Sequence, residues 1–218
     1  MYVPDHFRPS DDEVAQLLAG IGAGELITAT AEGLLATLLP LIWEPAADPA
    51  ADGALGRLMG HIARNNRQWK VAPAGDAMVI VRGPDAYISP SWYATKRQHG
   101  RVVPTWNYIT AHLHGQVVVH DDAAWCERNV RALVARHESR RPEPWSVDDA
   151  PPPYIEGQLR AIVGLEVVVT RIEAKTKLSQ NRSKEDVVGA IEGLEAETGP
   201  AAFATAAAMR ATEDARGR

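Results

Sequence analysis

The sequence has a single cysteine, Cys126, in 218 residues. One thiol excludes an intrachain disulfide and any metal site built on several cysteines. Positive charge is also in short supply: 23 Lys and Arg stand against 28 Asp and Glu, a net charge of -5. That balance excludes broad, charge-driven binding to nucleic acid or anionic membrane, although a local basic face stays open. No uninterrupted apolar run approaches the roughly 20 residues of a membrane-spanning helix. The opening MYVPDHFRPSDDE has no basic stretch followed by an apolar one and does not read as a secretion signal. A Gly-rich phosphate loop and a nucleophile elbow are missing as well. These absences lead us to expect a soluble, cytoplasmic chain.

What is present is a pattern of strands. GELITAT (24–30) and LLATLLPLIW (34–43) read as a hairpin across Ala31-Glu32-Gly33. AMVIVRG (77–83) and AYIS (86–89) read as two further strands. WNYITAHLHGQVVVH (106–120) alternates with period two, with Ile109, Ala111, Leu113, Gly115, Val117 and Val119 on one face. GLEVVVTRIEA gives the last core strand over 165–174. Ser10 and Glu13 have capping-box spacing for a helix to about Gly20, and Asp121 and Asp122 start another that runs to about Glu138. The Ala-, Pro- and Asp-rich segment 44–54 reads as a loop, and LGRLMGHIARNNRQWK (55–70) as a short helix entering a polar turn. Five or six mostly antiparallel strands with peripheral helices predict a small closed barrel in one α+β domain spanning 1–218, with a C-terminal helical extension over about 183–218.

Four stretches are unusually polar or aromatic for their positions. GHIARNNRQW carries His61, Arg64 and Asn65 in a basic turn suited to a phosphate, or simply a solvated helix end. AYISPSWY is a rigid turn between aromatics, with Trp92 and Tyr93 able to act as packing residues. VVPTWNY sets Thr105, Trp106 and Asn107 at the entry of the alternating strand, where they suit a flat heterocycle or serve as caps. KTKLSQNR packs Lys175, Lys177 and Arg182 with Ser179, Gln180 and Asn181 directly after an apolar strand. A cation run is usually a solvated face. His112 and His114 share a strand face, but two ligands without a third do not make a metal site.

Taken together, MYVPDHF, GHIARNN, GPDAYISPSWYATK, VVPTWNY and KLSQNR resemble the signature blocks of the PaiB-type family of FMN-binding negative transcriptional regulators, in the same order from Met1 to about Leu194. The resemblance implies the FMN-binding split β-barrel, shared with pyridoxamine-phosphate oxidases, and a homodimer with FMN in the interface cleft. Carried onto this chain, His61, Arg64 and Asn65 would meet the phosphate. Thr105, Trp106 and Asn107 would frame the ring, and Lys177, Gln180, Asn181 and Arg182 would close the cleft. DNA as a partner rests on the resemblance alone, since no helix-turn-helix pattern is present.

The chain departs from the family pattern where Leu38 replaces a histidine in ATLLP and where Ala174 and Thr176 stand in place of a tryptophan-bearing GKW. Loss of an imidazole and an indole brings in a rarer kind of relative, the haem-dependent piperazate synthases, which cyclise N5-hydroxyornithine through an N–N bond. In that case haem b takes His61 as axial ligand and Lys175 or Lys177 serves as base. A flavin-dependent oxidoreductase and a cofactor-free dimeric scaffold are the remaining alternatives.

Overall fold

The computed structural model describes residues 1–216, apart from the Asp52 side chain. The last two residues of the expected 183–218 extension lie outside the described residues. Helix α1 (Asp11–Ala19) starts at the predicted capping box: the Ser10 amide donates to Glu13 Oε2 at 2.7 Å, and the Glu13 amide donates back to Ser10 Oγ. The hairpin of β1 (Ala23–Thr30) and β2 (Gly33–Pro45) forms as read, in the register Thr30↔Gly33 to Ala23↔Pro40. Within the expected 44–54 loop, Asp48 caps a one-turn helix, α2 (Pro49–Asp52).

The segment expected to be a helix at 55–70 is instead strand β3 (Gly56–Ala63), followed by a turn. Leu58, Gly60 and Ile62 are buried on one face, while Arg57, Met59, His61 and Ala63 occupy the other. Gly60 carries the reason: a Cβ there would lie 2.6 Å from the Pro40 carbonyl oxygen, so close packing on β2 needs glycine. The two strands expected at 77–83 and 86–89 are one, β4 (Ala77–Ile88), which runs through Gly83-Pro84-Asp85. After α3 (Ala94–His99), β5 (Thr105–His120) is the predicted alternating strand, with Asn107, Ala111, Leu113 and Gly115 buried. Asp122 caps α4 (Ala123–Glu138) by accepting from the Trp125 amide. Helix α5 (Pro152–Arg160) leads into β6 (Ile162–Lys177), which extends beyond the expected 165–174 and carries Lys175 and Lys177 as strand residues. Two helices, α6 (Lys184–Glu195) and α7 (Pro200–Arg216), finish the described chain.

The sheet closes in the order β1-β2-β3-β6-β5-β4, with β4 pairing back on β1. This is an α+β split barrel. Backbone proximity divides the chain into two compact units. The first (1–14, 82–111 and 174–218) packs Ile88, Tyr93, Leu178, Ile191, Leu194 and Met209 into one core. The second (15–81 and 112–173) buries Leu26, Leu58, Val79, Leu113, Val163 and Val169. The period-two burial in both units is the hydrophobic effect acting on a pleated strand.

Candidate functional site

The first unit holds the KTKLSQNR cluster. β6 ends at Lys177, and the chain turns at Ser179, a non-glycine residue with φ of 67°. A serine is held in this left-handed conformation by long-range hydrogen bonding. Asn107 Nδ2 donates to Ser179 Oγ at 2.9 Å, and Ser179 Oγ donates to Asn107 Oδ1 at 3.2 Å, with both residues buried. Asn107, expected to face a ring, is therefore placed in the core as a clamp on this turn. Gln180 locks the turn from the other side, accepting from the Leu178 amide at 2.7 Å and donating to the Thr176 carbonyl at 2.6 Å. Asn181 is exposed.

The clamp fixes where the cations point. Lys177 Nζ donates to Thr105 Oγ1 at 2.5 Å and to the Trp106 carbonyl at 2.7 Å, so three of the predicted site residues do meet. Trp106 stays half exposed, and its indole N–H donates to Asp85. Lys175 is buried, with its Nζ 3.2 Å from the Tyr2 carbonyl and 5.6–5.8 Å from the ring centroids of Tyr2, Phe7 and Tyr108. The Arg182 guanidinium lies 4.9 Å from the Tyr93 ring centroid. None of the three cations pairs with a carboxylate among the described residues. Burial pushes the Lys177 pKa down, and the charges of Lys175 and Arg182 push the same way.

His61, Arg64 and Asn65 belong to the second unit. His61 stands on β3, not in a turn at a helix end, and its Nδ1 is 3.4 Å from Asn129 Oδ1 on α4. Burial lowers its pKa, favouring the neutral imidazole, and the Asn129 contact opposes this. Arg64 commits its donors internally: Nε to the Arg160 carbonyl at 2.7 Å, and Nη2 to Asp121 at 2.6 Å and the Ile162 carbonyl at 3.1 Å. Asn65 is exposed. The rest of that polar stretch ties down the β1–β2 hairpin. Gln68 donates to the Leu26 carbonyl and Thr28, and accepts from Thr37 at 2.6 Å.

Sequence reading missed a second polar group in this unit. The Glu166 carboxylate, 5% exposed, takes Arg57 Nη1 at 2.7 Å on one oxygen and His120 Nε2 at 2.9 Å on the other. The His120 ring stacks on Trp125 at 4.2 Å and 6°. Trp125 in turn lies where a Cβ on Gly164 would stand, 2.3 Å away. His114 Nε2 is 3.6 Å from Glu173. Among the described residues no three His, Cys, Asp or Glu are placed to hold a metal ion, and no helix is long and apolar enough to cross a membrane.

Comparison with known proteins fits this architecture. The family model described as "Putative FMN-binding domain" matches residues 1–171. Protease synthase and sporulation protein PAI 2 of Bacillus subtilis is 32% identical over 202 residues, 92% of each chain. Among solved structures, the flavocytochrome Anf3 of Azotobacter vinelandii aligns with TM-score 0.50 at 15% identity, over 78% of this chain and 68% of that one. A FAD and haem binding protein of Mycobacterium smegmatis aligns with TM-score 0.51 at 15% identity, over 83% and 78%. At such identities the two structures show a common fold and no more. The sequence matches go further: this chain belongs to the family described as "Putative FMN-binding domain", and PAI 2 of Bacillus subtilis is a relative along nearly its whole length.

Proposed function

We propose that the protein binds FMN in the cytoplasm as a homodimer, and that the FMN phosphate is met by the first unit's cations, chiefly Lys177 and Arg182. One observation carries this reading: Lys175, Lys177 and Arg182 crowd together with no carboxylate among the described residues to balance them. Like charges this close favour a bound anion, and a phosphate monoester brings up to two negative charges. Thr105 and the exposed Trp106 stand beside Lys177, where a hydroxyl and an indole suit a ring system. Arg64 supports the fold more than the ligand, since Asp121 and two carbonyls already take its donors. The dimer is supported by Leu34 and Leu38, which are 75% and 67% exposed on β2, and its mass in solution tests it. A transcriptional role has only the family resemblance behind it, and a net charge of -5 lends it nothing.

His61 favours a second reading. With its proton on Nδ1, facing Asn129 Oδ1, the imidazole would keep the Nε2 lone pair for an axial haem ligand oriented by its neighbour. Haem b bound there would supply an iron Lewis acid for breaking a hydroxylamine N–O bond.

The visible spectrum separates the two. Reconstituted with FMN, the protein is expected to show two broad bands in the blue and near-ultraviolet, with affinity falling about tenfold in Lys177→Met. An intense Soret band lost in His61→Ala would establish the haem reading instead. Failure to take up either cofactor would reject both.

A further inference from the structure

Lys177 has chemistry beyond holding an anion. Two of its three possible N–H directions are taken by Thr105 Oγ1 and the Trp106 carbonyl, at 2.5 and 2.7 Å. A neutral amine keeps both donations and retains a lone pair, so deprotonation breaks no contact. Burial and the adjacent Lys175 and Arg182 charges favour that neutral form. The neighbours differ from Lys177 in kind. Lys175 is buried among three aromatic rings and the Tyr2 carbonyl, while Arg182 carries a fixed charge over Tyr93. One nucleophilic nitrogen is thereby set beside two cations that no carboxylate neutralises among the described residues.

We infer that Lys177 is a reactive amine that condenses with small anionic aldehydes, the anion being drawn in by Lys175 and Arg182. The Nζ lone pair attacks the carbonyl carbon, and the carbinolamine loses its oxygen with the two amine hydrogens as water. A C=N bond replaces the C=O, and nothing is oxidised or reduced. Lysine acts as a covalent catalyst in this manner when desolvation or a neighbouring cation lowers its pKa. The inference shares with the FMN reading the idea that this cluster attracts anions, but it does not require FMN.

The test is reductive trapping of the full-length protein with glyoxylate and cyanoborohydride at pH 7.5, followed by peptide mapping. Lys177 is expected to be modified at least about tenfold faster than Lys70, Lys96 or Lys184, because a local positive field concentrates the anionic aldehyde beside its amine. Acetaldehyde, which has no charge, should lose most of that selectivity. Lys177→Arg should abolish the adduct while the far-ultraviolet circular dichroism stays unchanged, and Lys177→Met provides a second check. Even modification of all lysines, or equal selectivity with acetaldehyde, overturns the inference. FMN added beforehand distinguishes the two ideas. Protection of Lys177 supports both, and selective trapping without protection supports this inference while removing FMN from the cluster. Absence of selective trapping in a protein whose FMN binding depends on Lys177 overturns the inference alone.

Discussion

Two polar clusters, one in each unit, treat charge in opposite ways. In the second, Glu166 is bracketed by Arg57 and His120, and Arg64 is answered by Asp121. In the first, Lys175, Lys177 and Arg182 meet carbonyls, a hydroxyl and ring faces but no carboxylate among the described residues. A balanced cluster has little left to offer a ligand, because its electrostatic energy is already spent on the fold. An unbalanced one carries unfavourable repulsion that a ligand relieves, as strained and perturbed groups at functional sites do. Neutralising a charge should therefore cost stability in the Glu166 cluster and binding in the lysine–arginine cluster.

The largest effect is expected on the balanced side. Glu166→Ala leaves Arg57 and His120 without their shared acceptor and opens space against β3. It should cost about 3 kcal/mol, the range for losing charge-assisted hydrogen bonds to a buried group, with Arg57's half-exposed position limiting the loss. Urea unfolding measures it, and FMN affinity of the folded variant should stay within about twofold. Next comes Asn107→Ala, which frees the left-handed Ser179 turn from its clamp. About 2 kcal/mol of stability should go, as for a buried polar partner left unpaired, and FMN affinity should fall with it because the turn orients Lys177 and Arg182. If Asn107→Ala lost stability with affinity intact, the clamp would be only a core feature. Lys177→Met is the mirror image of Glu166→Ala. FMN affinity should fall about tenfold, near 1.4 kcal/mol, while unfolding in the absence of FMN shifts by less than about 0.5 kcal/mol. Equal losses of stability from Lys177→Met and Glu166→Ala would erase the distinction between the two clusters.

Much of the barrel was legible in the sequence and much of its polar wiring was not. The hairpin, β5 and both capped helices announce themselves through local signals: turn residues, period two, and a Ser or Asp three residues ahead of a partner. β3 hid because one of its inward positions is a glycine. Leu58-Gly60-Ile62 is an alternating face only once Gly60 is seen to be buried against Pro40, and a reading that follows apolar side chains passes over it. β4 hid its continuity behind Gly83-Pro84-Asp85, a run that elsewhere marks a turn. KTKLSQNR stood out because it breaks the pattern of a simple surface turn, and in the fold its serine takes the place a glycine would hold. The Glu166 group was invisible for a different reason. Its partners lie 109 and 46 residues away in sequence, and no local pattern encodes them. The same applies to Asn129, 68 residues from His61.

The smallest expected effect lies in how stability responds to alkali. In the native state Lys177 has a pKa below the 10.5 of an ordinary lysine, with burial the main cause and Lys175 and Arg182 contributing. Between the native and unfolded values the native protein has already released this proton while the unfolded chain still holds it. The unfolded state then binds more protons, so stability rises with pH through that window and levels off above 10.5. Lys177 thus opposes folding when charged, the reverse of a salt-bridged lysine. Urea midpoints measured from pH 8 to 10.5 should climb more steeply in the wild-type protein than in Lys177→Met, whose slope lacks this contribution. FMN should flatten the wild-type slope too, because an anion bound at the cluster raises the native pKa of Lys177 toward its ordinary value. A wild-type slope unchanged by both the substitution and the ligand would mean that the crowded cations feel neither each other nor a phosphate, and that their cluster is no more frustrated than the one around Glu166.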